Sequence, residues 1–174
     1  MSRRLHEYGA GLDESHISTM LMAGKSLDPE LAWALVITGA CSWLTARRFQ
    51  DSIQQKCLFG CWGRRGEASG VDRFDHYLSC PRLTFVVREA APGLDGNLAE
   101  WMRFPTPCSE KEARRRAGRI AMALHLHRAL RLEKGFYQRG VIDVVALSTH
   151  LERLRALAAS AAAKFRIARF CAFS

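Results

Sequence analysis

Two pairs of metal-ligand side chains with the same internal spacing constrain this chain more than any other feature. Cys57 and Cys61 lie four positions apart, and His76 and Cys80 repeat that spacing after 14 intervening residues, 62 to 75. Three thiolates and one imidazole are the ligand set of a closed, tetrahedral structural zinc site. If residues 74–80 are helical, His76 and Cys80 lie one turn apart on one face and can both reach a single ion. The pattern therefore predicts a zinc-stapled unit.

The alternative is a core histidine and separate buried thiols, since cysteine is among the most buried residue types. The residues around the two pairs favour the metal. Gly60 permits a tight bend beside the first pair, and Pro81 ends the helical turn that carries the second. The segment that joins the pairs contains Gly63, Gly66 and Gly70, as expected of a loop.

Three segments around this unit carry a resemblance to a known family. They read WLTARRFQ (43–50), CLFGC (57–61) and DHYLSCP (75–81). Together they resemble the zinc-binding region that follows the polymerase domain in non-LTR retrotransposon reverse transcriptases. The resemblance covers about residues 40–83, roughly a quarter of the chain. A Cys-x3-Cys pair stands where plant-type members have Cys-x2-Cys, and the loop is longer. The resemblance implies a nucleic-acid-binding module from the C-terminal part of such an enzyme.

The basic charge is concentrated in the last third of the chain. The formal net charge is +9, and residues 108–174 contain 14 basic and 5 acidic side chains, whereas residues 1–107 are balanced. Such asymmetry favours a polyanionic partner, either a nucleic acid or an anionic membrane surface. The alternative is a solvated helix surface. We predict non-specific RNA or DNA phosphate contacts by seven arginines: Arg64, Arg65, Arg73, Arg114, Arg115, Arg116 and Arg119.

Four of these arginines occupy an unfavourable place on a helix. Arg114, Arg115, Arg116 and Arg119 follow closely on Ser109, where Ser109 and Glu112 have the spacing of a capping box. Cations near a helix N-terminus oppose the helix dipole, so phosphate contact explains the cluster better than helix stability does.

The remaining pattern predicts a mainly α-helical fold. Hydrophobic residues make up 48% of the 174 residues, enough for a real core. The longest apolar run, 31–44, is too short to cross a bilayer. The predicted helices are 15–22, 29–49, 83–90, a few turns within 98–104, 109–134 and 141–165. We expect residues 1–107 to hold the zinc unit and residues 108–174 to form a basic antiparallel helical hairpin packed on the same domain.

The sequence contains no catalytic signature. A Tyr-x-Asp-Asp polymerase motif and a His-Glu-x-x-His motif are both absent, and Asp72 and Asp75 are interpreted as solvated loop residues. We therefore predict a non-enzymatic protein. With no apolar leader after Met1, we expect an intracellular location, nuclear or cytoplasmic. Two alternatives stay open: a zinc-stapled protein-interaction domain, and a membrane-surface binder that uses the basic tail after Lys164.

Overall fold

The computed structural model describes residues 12–43, 57–61, 72–93, 95–132 and 144–165. These residues form seven α-helices and no strand, so the predicted mainly helical class is confirmed for the described part. In chain order the helices are α1 (Glu14–Gly24), α2 (Pro29–Gly39), α3 (Phe74–Ser79), α4 (Pro81–Ala90), α5 (Leu98–Met102), α6 (Glu110–Leu132) and α7 (Val144–Lys164).

Helix α6 is the centre of the fold. It contacts α1, α2, α4, α5 and α7, and α4 also packs against α7. A helix surrounded on most sides must be apolar around most of its circumference. The middle section of α6 meets this condition. Residues 117–124 are buried without interruption, although they include Arg119. Both predicted regions, before and after residue 107, therefore contribute to one core.

Local sequence explains where several helices begin. Asp13 caps α1, because its Oδ1 accepts a hydrogen bond from the backbone N–H of His16 at 3.0 Å. Asn97 caps α5 in the same way, accepting from Glu100 N–H at 3.1 Å. Ser109 Oγ accepts from Glu112 N–H at 3.2 Å, as the capping box at the start of α6 predicts. The Glu112 carboxylate, however, accepts from Arg116 Nε at 2.6 Å.

The prediction that α2 extends to residue 49 is wrong. The helix ends at Gly39, and Cys41 follows with a φ of 50°, in the left-handed region. The chain then turns back, so that Trp43 Nε1 donates to Thr38 Oγ1 at 3.1 Å. Trp43 is 1% exposed. The apolar periodicity continues past Gly39 because Cys41 and Trp43 remain buried, although they are no longer helical.

The arginines at the start of α6 hold the connection between α4 and α5. Arg119 is fully buried, and its Nη2 donates to the carbonyl oxygens of Ala91 at 2.6 Å and Pro92 at 2.7 Å. Arg115 donates to the carbonyl of Gly93, and Arg116 Nη1 donates to the carbonyl of Glu100 at 2.7 Å. Ala91 follows the last residue of α4, where the helix dipole is negative. The cations thus complement the C-terminal end of one helix from the N-terminal part of another.

Within the described residues, no helix is both long and apolar enough to span a membrane. The predicted basic tail beyond Phe165 lies outside the described residues, as do the predicted last turn of α6 at 133–134 and the start of the last helix at 141–143.

We expect Arg119→Met to destabilise the fold by about 2–4 kcal/mol, because the substitution keeps most of the side-chain volume but removes charged hydrogen bonds from buried carbonyls. Chemical unfolding of the two proteins at neutral pH measures the difference. Arg155→Met is the control, since Arg155 lies at the surface, 45% exposed, paired with Glu89. An equal loss in both variants would contradict the structural role of Arg119.

Candidate metal centre

The four predicted ligands converge on one point. The ligand atoms of Cys57, Cys61, His76 and Cys80 all lie within 4.8 Å of one another. The first pair is carried by a tight turn in which Gly60 N–H donates to the carbonyl of Cys57 at 3.0 Å. Gly60 has a φ of 75°, a conformation that suits glycine, as predicted. His76 lies in α3, and Cys80 lies between α3 and α4. The predicted ligand cluster is therefore confirmed.

One sulfur–sulfur separation in the cluster matches that around a tetrahedral metal ion, and another is shorter. With metal–sulfur bonds of about 2.3 Å, two sulfurs on one zinc ion would be about 3.8 Å apart. The Sγ atoms of Cys57 and Cys80 are 3.8 Å apart, and those of Cys61 and Cys80 are 3.2 Å apart. Both separations are far longer than a disulfide bond. In addition, Nε2 of His76 is buried without a hydrogen-bond partner, which a metal would supply.

The three thiols lie so close together that ionisation of one disfavours ionisation of the others. Burial raises the pKa of Cys57 far above its usual value and that of Cys80 to about 12. Hydrogen bonds from Cys57 and then from Cys80 lower the pKa of Cys61. Without a cation, the cluster holds one thiolate stabilised by two thiols. A metal that binds all three sulfurs must therefore displace protons, and its apparent affinity falls as the pH falls.

Cys80 has a second role at the start of α4. It is the N-cap residue of that helix, and its Sγ accepts a hydrogen bond from Leu83 N–H at 3.4 Å. Pro81 occupies the first position of α4, where a proline is well tolerated. The sulfur thus lies at the positive end of the helix dipole, where negative charge is favoured.

A polar relay fixes the Cys57–Cys61 turn through the backbone of Leu58. Leu58 N–H donates to Tyr77 Oη at 3.4 Å, and Tyr77 O–H donates to Asp72 Oδ1 at 2.5 Å. Arg131 of α6 completes the relay, donating to Asp72 Oδ2 at 2.9 Å. On the other side, Nε2 of His150 in α7 donates to the Leu58 carbonyl at 3.0 Å. Both backbone polar groups of Leu58 are therefore anchored, the N–H through α3 and α6 and the carbonyl by α7.

Sequence reasoning missed this relay. Asp72 was expected to be a solvated loop residue, but it is fully buried. Asp72 can be buried because Arg131 and Tyr77 compensate its carboxylate. No local pattern links Asp72 to Arg131, 59 positions away. Tyr77 is also fully buried and packs in the core.

Aromatic rings pack against one another beside the relay. The ring of His127, in α6, lies 4.9 Å from the ring of Trp43 and 5.0 Å from that of Tyr77, between centroids. Burial lowers the pKa of His127, although Asp72, 3.8 Å away, opposes the shift. His127 is therefore neutral at neutral pH.

The arginines that were predicted to bind phosphate lie in several different environments, whereas the four predicted ligands lie together. Arg64 and Arg65 lie outside the described residues. Arg73 is at the surface and pairs with Asp75 at 2.9 Å. Arg114 pairs with Asp28 at 2.9 Å and with Glu110 at 3.0 Å.

The remaining three of these arginines also contact other groups of the chain. Arg115 and Arg116 both pair with Glu112 and bind carbonyl groups, while Arg119 is buried. Placing Arg119 on a phosphate-binding surface was wrong. For the six others, phosphate contact stays a prediction.

We expect the purified protein to contain about one metal ion per chain, and Cys57→Ser/Cys80→Ser to contain none and to lose local folding, because structural metal binding is coupled to folding. Metal analysis and circular dichroism measure both. Cys108→Ser is the matched control, a cysteine outside the cluster. Metal content that survives in the double variant would contradict the assigned ligands.

The buried His127 predicts a pH effect on stability. Its pKa is lower in the folded chain than the usual value of about 6.5, so stability is fully present above that pH and falls as the pH drops below it, by up to about 1.4 kcal/mol per unit. His127 faces Asp72, Arg131 and Arg128. His127→Phe should therefore weaken the loss of stability between about pH 7 and about pH 5 in urea unfolding. Identical pH slopes in parent and variant would contradict this.

No protein-family model, curated protein or solved structure matches the chain. The resemblance of residues 40–83 to the zinc-binding region of non-LTR retrotransposon reverse transcriptases accordingly stays a prediction, as does the absence of enzymatic activity.

Proposed function

We propose that this chain is a non-catalytic, zinc-stapled helical module that binds nucleic acid through phosphate contacts. The observation that supports it best is the convergence of Cys61 and His76 in one ligand cluster. These two ligands lie at the ends of the 14-residue segment 62–75, so a shared ion would close that segment into a loop. The loop carries Arg64, Arg65 and Arg73. A closed loop would lose less conformational entropy than an open segment when its cations bind a polyanion.

Zinc is the metal that the donor set favours. Three thiolates and one imidazole are soft and borderline ligands, which exclude calcium and magnesium as preferred occupants. A tetrahedral ion with four protein ligands keeps no position for water or substrate, so a structural role follows. Cys57, Cys61, His76 and Cys80 would hold the ion, and it would supply a fixed junction between the turn, α3 and α4.

The contacts of the arginines at the start of α6 favour the loop rather than α6 as the phosphate-binding element. Arg114, Arg115, Arg116 and Arg119 are already bound to carboxylates and carbonyls. Recruiting them to phosphate would require these contacts to break.

A protein-interaction domain is the second candidate, and exposed apolar side chains favour it. Met22, Val36 and Trp33 are 59%, 50% and 44% exposed and lie on α1 and α2, away from the ligand-bearing elements in sequence. Large exposed apolar side chains in one region are typical of binding surfaces. In this candidate the metal only stabilises the fold.

Binding of a labelled single-stranded RNA and a duplex DNA, followed by anisotropy, distinguishes the two candidates. We expect the parent to bind both, with an affinity that falls steeply between about 50 mM and about 200 mM salt. Arg64→Gln/Arg65→Gln should weaken binding about tenfold or more at the lower salt and reduce the logarithmic salt slope by about 2.

Arg115→Gln/Arg116→Gln is the matched control, because it removes the same charge from α6. We expect it to lower stability while leaving affinity within about twofold at a temperature where the variant is folded. If the parent binds neither polynucleotide at low salt, the nucleic-acid function is excluded. If only the α6 variant loses binding, the loop is the wrong element.

A further inference from the structure

A second site lies between α2, α6 and the end of α7. It is a cleft of about 420 Å³ that shares no residue with the metal centre. Its lining is mainly apolar, with ionisable groups at the rim. The lining residues are Pro29, Glu30, Trp33, Ala34, Ala121, Leu124, His125, Arg128, Lys164 and Phe165. The volume is in the range of small-molecule sites.

Two cations stand over aromatic rings in this cleft. The guanidinium carbon of Arg128 is 4.2 Å from the ring centroid of Trp33, and Lys164 Nζ is 5.4 Å from that of Phe165. Lys164 is also 3.6 Å from a carboxylate oxygen of Glu30. Within the described ranges, by contrast, no carboxylate pairs with Arg128. A cation–π contact uses the charge of a guanidinium and leaves its in-plane N–H donors available.

The local charge balance leaves room for one negative charge. Burial, and then the neighbouring Lys164, lower the pKa of His125, so this ring is neutral at neutral pH. The cleft then contains Arg128 and Lys164 against Glu30, one net positive charge. Burial also lowers the pKa of Arg128, because the guanidinium has lost part of its hydration. A bound anion would compensate that loss.

We propose that this cleft binds a small organic monoanion, a carboxylate with an aromatic or short aliphatic body. The body packs between Trp33, Leu124 and Phe165, and the carboxylate accepts a forked pair of hydrogen bonds from Arg128. Arginine is suited to this role because its planar donors match both oxygens of a carboxylate. Lys164 adds charge at the rim.

The side-chain charge of the chain's own tail does not complement that of the cleft. Residues 166–174 follow directly after Phe165 and include Arg166 and Arg169 but no acidic side chain. Their charge repeats that of Arg128 and Lys164. A separate anion satisfies the site better than this segment does.

The test is calorimetric titration of the full chain with 4-phenylbutyrate and octanoate, and with 4-phenylbutyramide as the uncharged analogue. We expect both carboxylates to bind with Kd on the order of 0.1 mM and the amide to bind at least about tenfold more weakly. Arg128→Gln should weaken carboxylate binding about tenfold or more, and Arg128→Lys less, because it keeps the charge but loses the fork.

Arg155→Gln is the matched control, since Arg155 also lies over an aromatic ring, Phe85 at 5.7 Å, but is paired with Glu89. Trp33→Ala should weaken binding without unfolding the chain, because Trp33 is at the surface. Three outcomes would each overturn the proposal: no binding of either carboxylate by the parent, equal binding of the amide, or equal losses in the Arg128 and Arg155 variants. A dimer that Trp33→Ala abolishes and carboxylates do not affect would assign the cleft to self-association instead.

Discussion

The buried carboxylate of Asp72 is the interaction on which the metal-binding region depends. An ionised carboxylate without water is tolerated only where cations and hydrogen-bond donors compensate it, and Arg131 and Tyr77 do so here. Arg131 belongs to α6, which packs against α1, α2, α4, α5 and α7 and also touches α3 through His127 and Tyr77. Asp72 therefore fixes the segment that leads into α3 relative to the central helix. Removing Asp72 or Arg131 alone would leave the other charge unpaired in the core, a cost of about 3–5 kcal/mol.

The arginines of α6 show how a basic cluster can serve a fold instead of a ligand. At the N-terminal part of their own helix these charges are unfavourable. In three dimensions they lie beside the C-terminal end of α4 and the connection that follows it, where carbonyl oxygens have no helical partner. The contact joins two helix ends of opposite polarity. It explains why Arg119 can be completely buried. The position of these arginines is unfavourable along their own helix but favourable beside the end of α4.

Features that depend on local sequence could be predicted, whereas those that depend on distant partners could not. The ligand cluster was predictable because metal chemistry specifies residue types and short spacings, independently of the packing around them. Most of α6 followed from the Ser109 capping box and apolar periodicity, and the end of α4 at Ala90 was predicted. The start of α4 was not, because Pro81 was interpreted only as the end of the preceding turn, whereas it is the first residue of this helix. The end of α2 did not, since buried Cys41 and Trp43 continue the apolar pattern after the helix has stopped. Asp72 and His150 were missed for another reason: their partners are distant in sequence, and a pairing between single polar residues has no periodicity to detect.

The dual role of the Cys80 sulfur links two properties that are usually separate. The same atom contributes to the ligand cluster and caps α4 by accepting from Leu83 N–H. Helix α4 in turn packs on α7, which holds the Leu58 carbonyl through His150. A metal ion bound at this cluster would consequently be coupled to the order of α4 and α7. Oxidation of the Cys80 sulfur would remove a potential ligand and the cap of α4 together, so redox chemistry at one atom would reach a pair of packed helices.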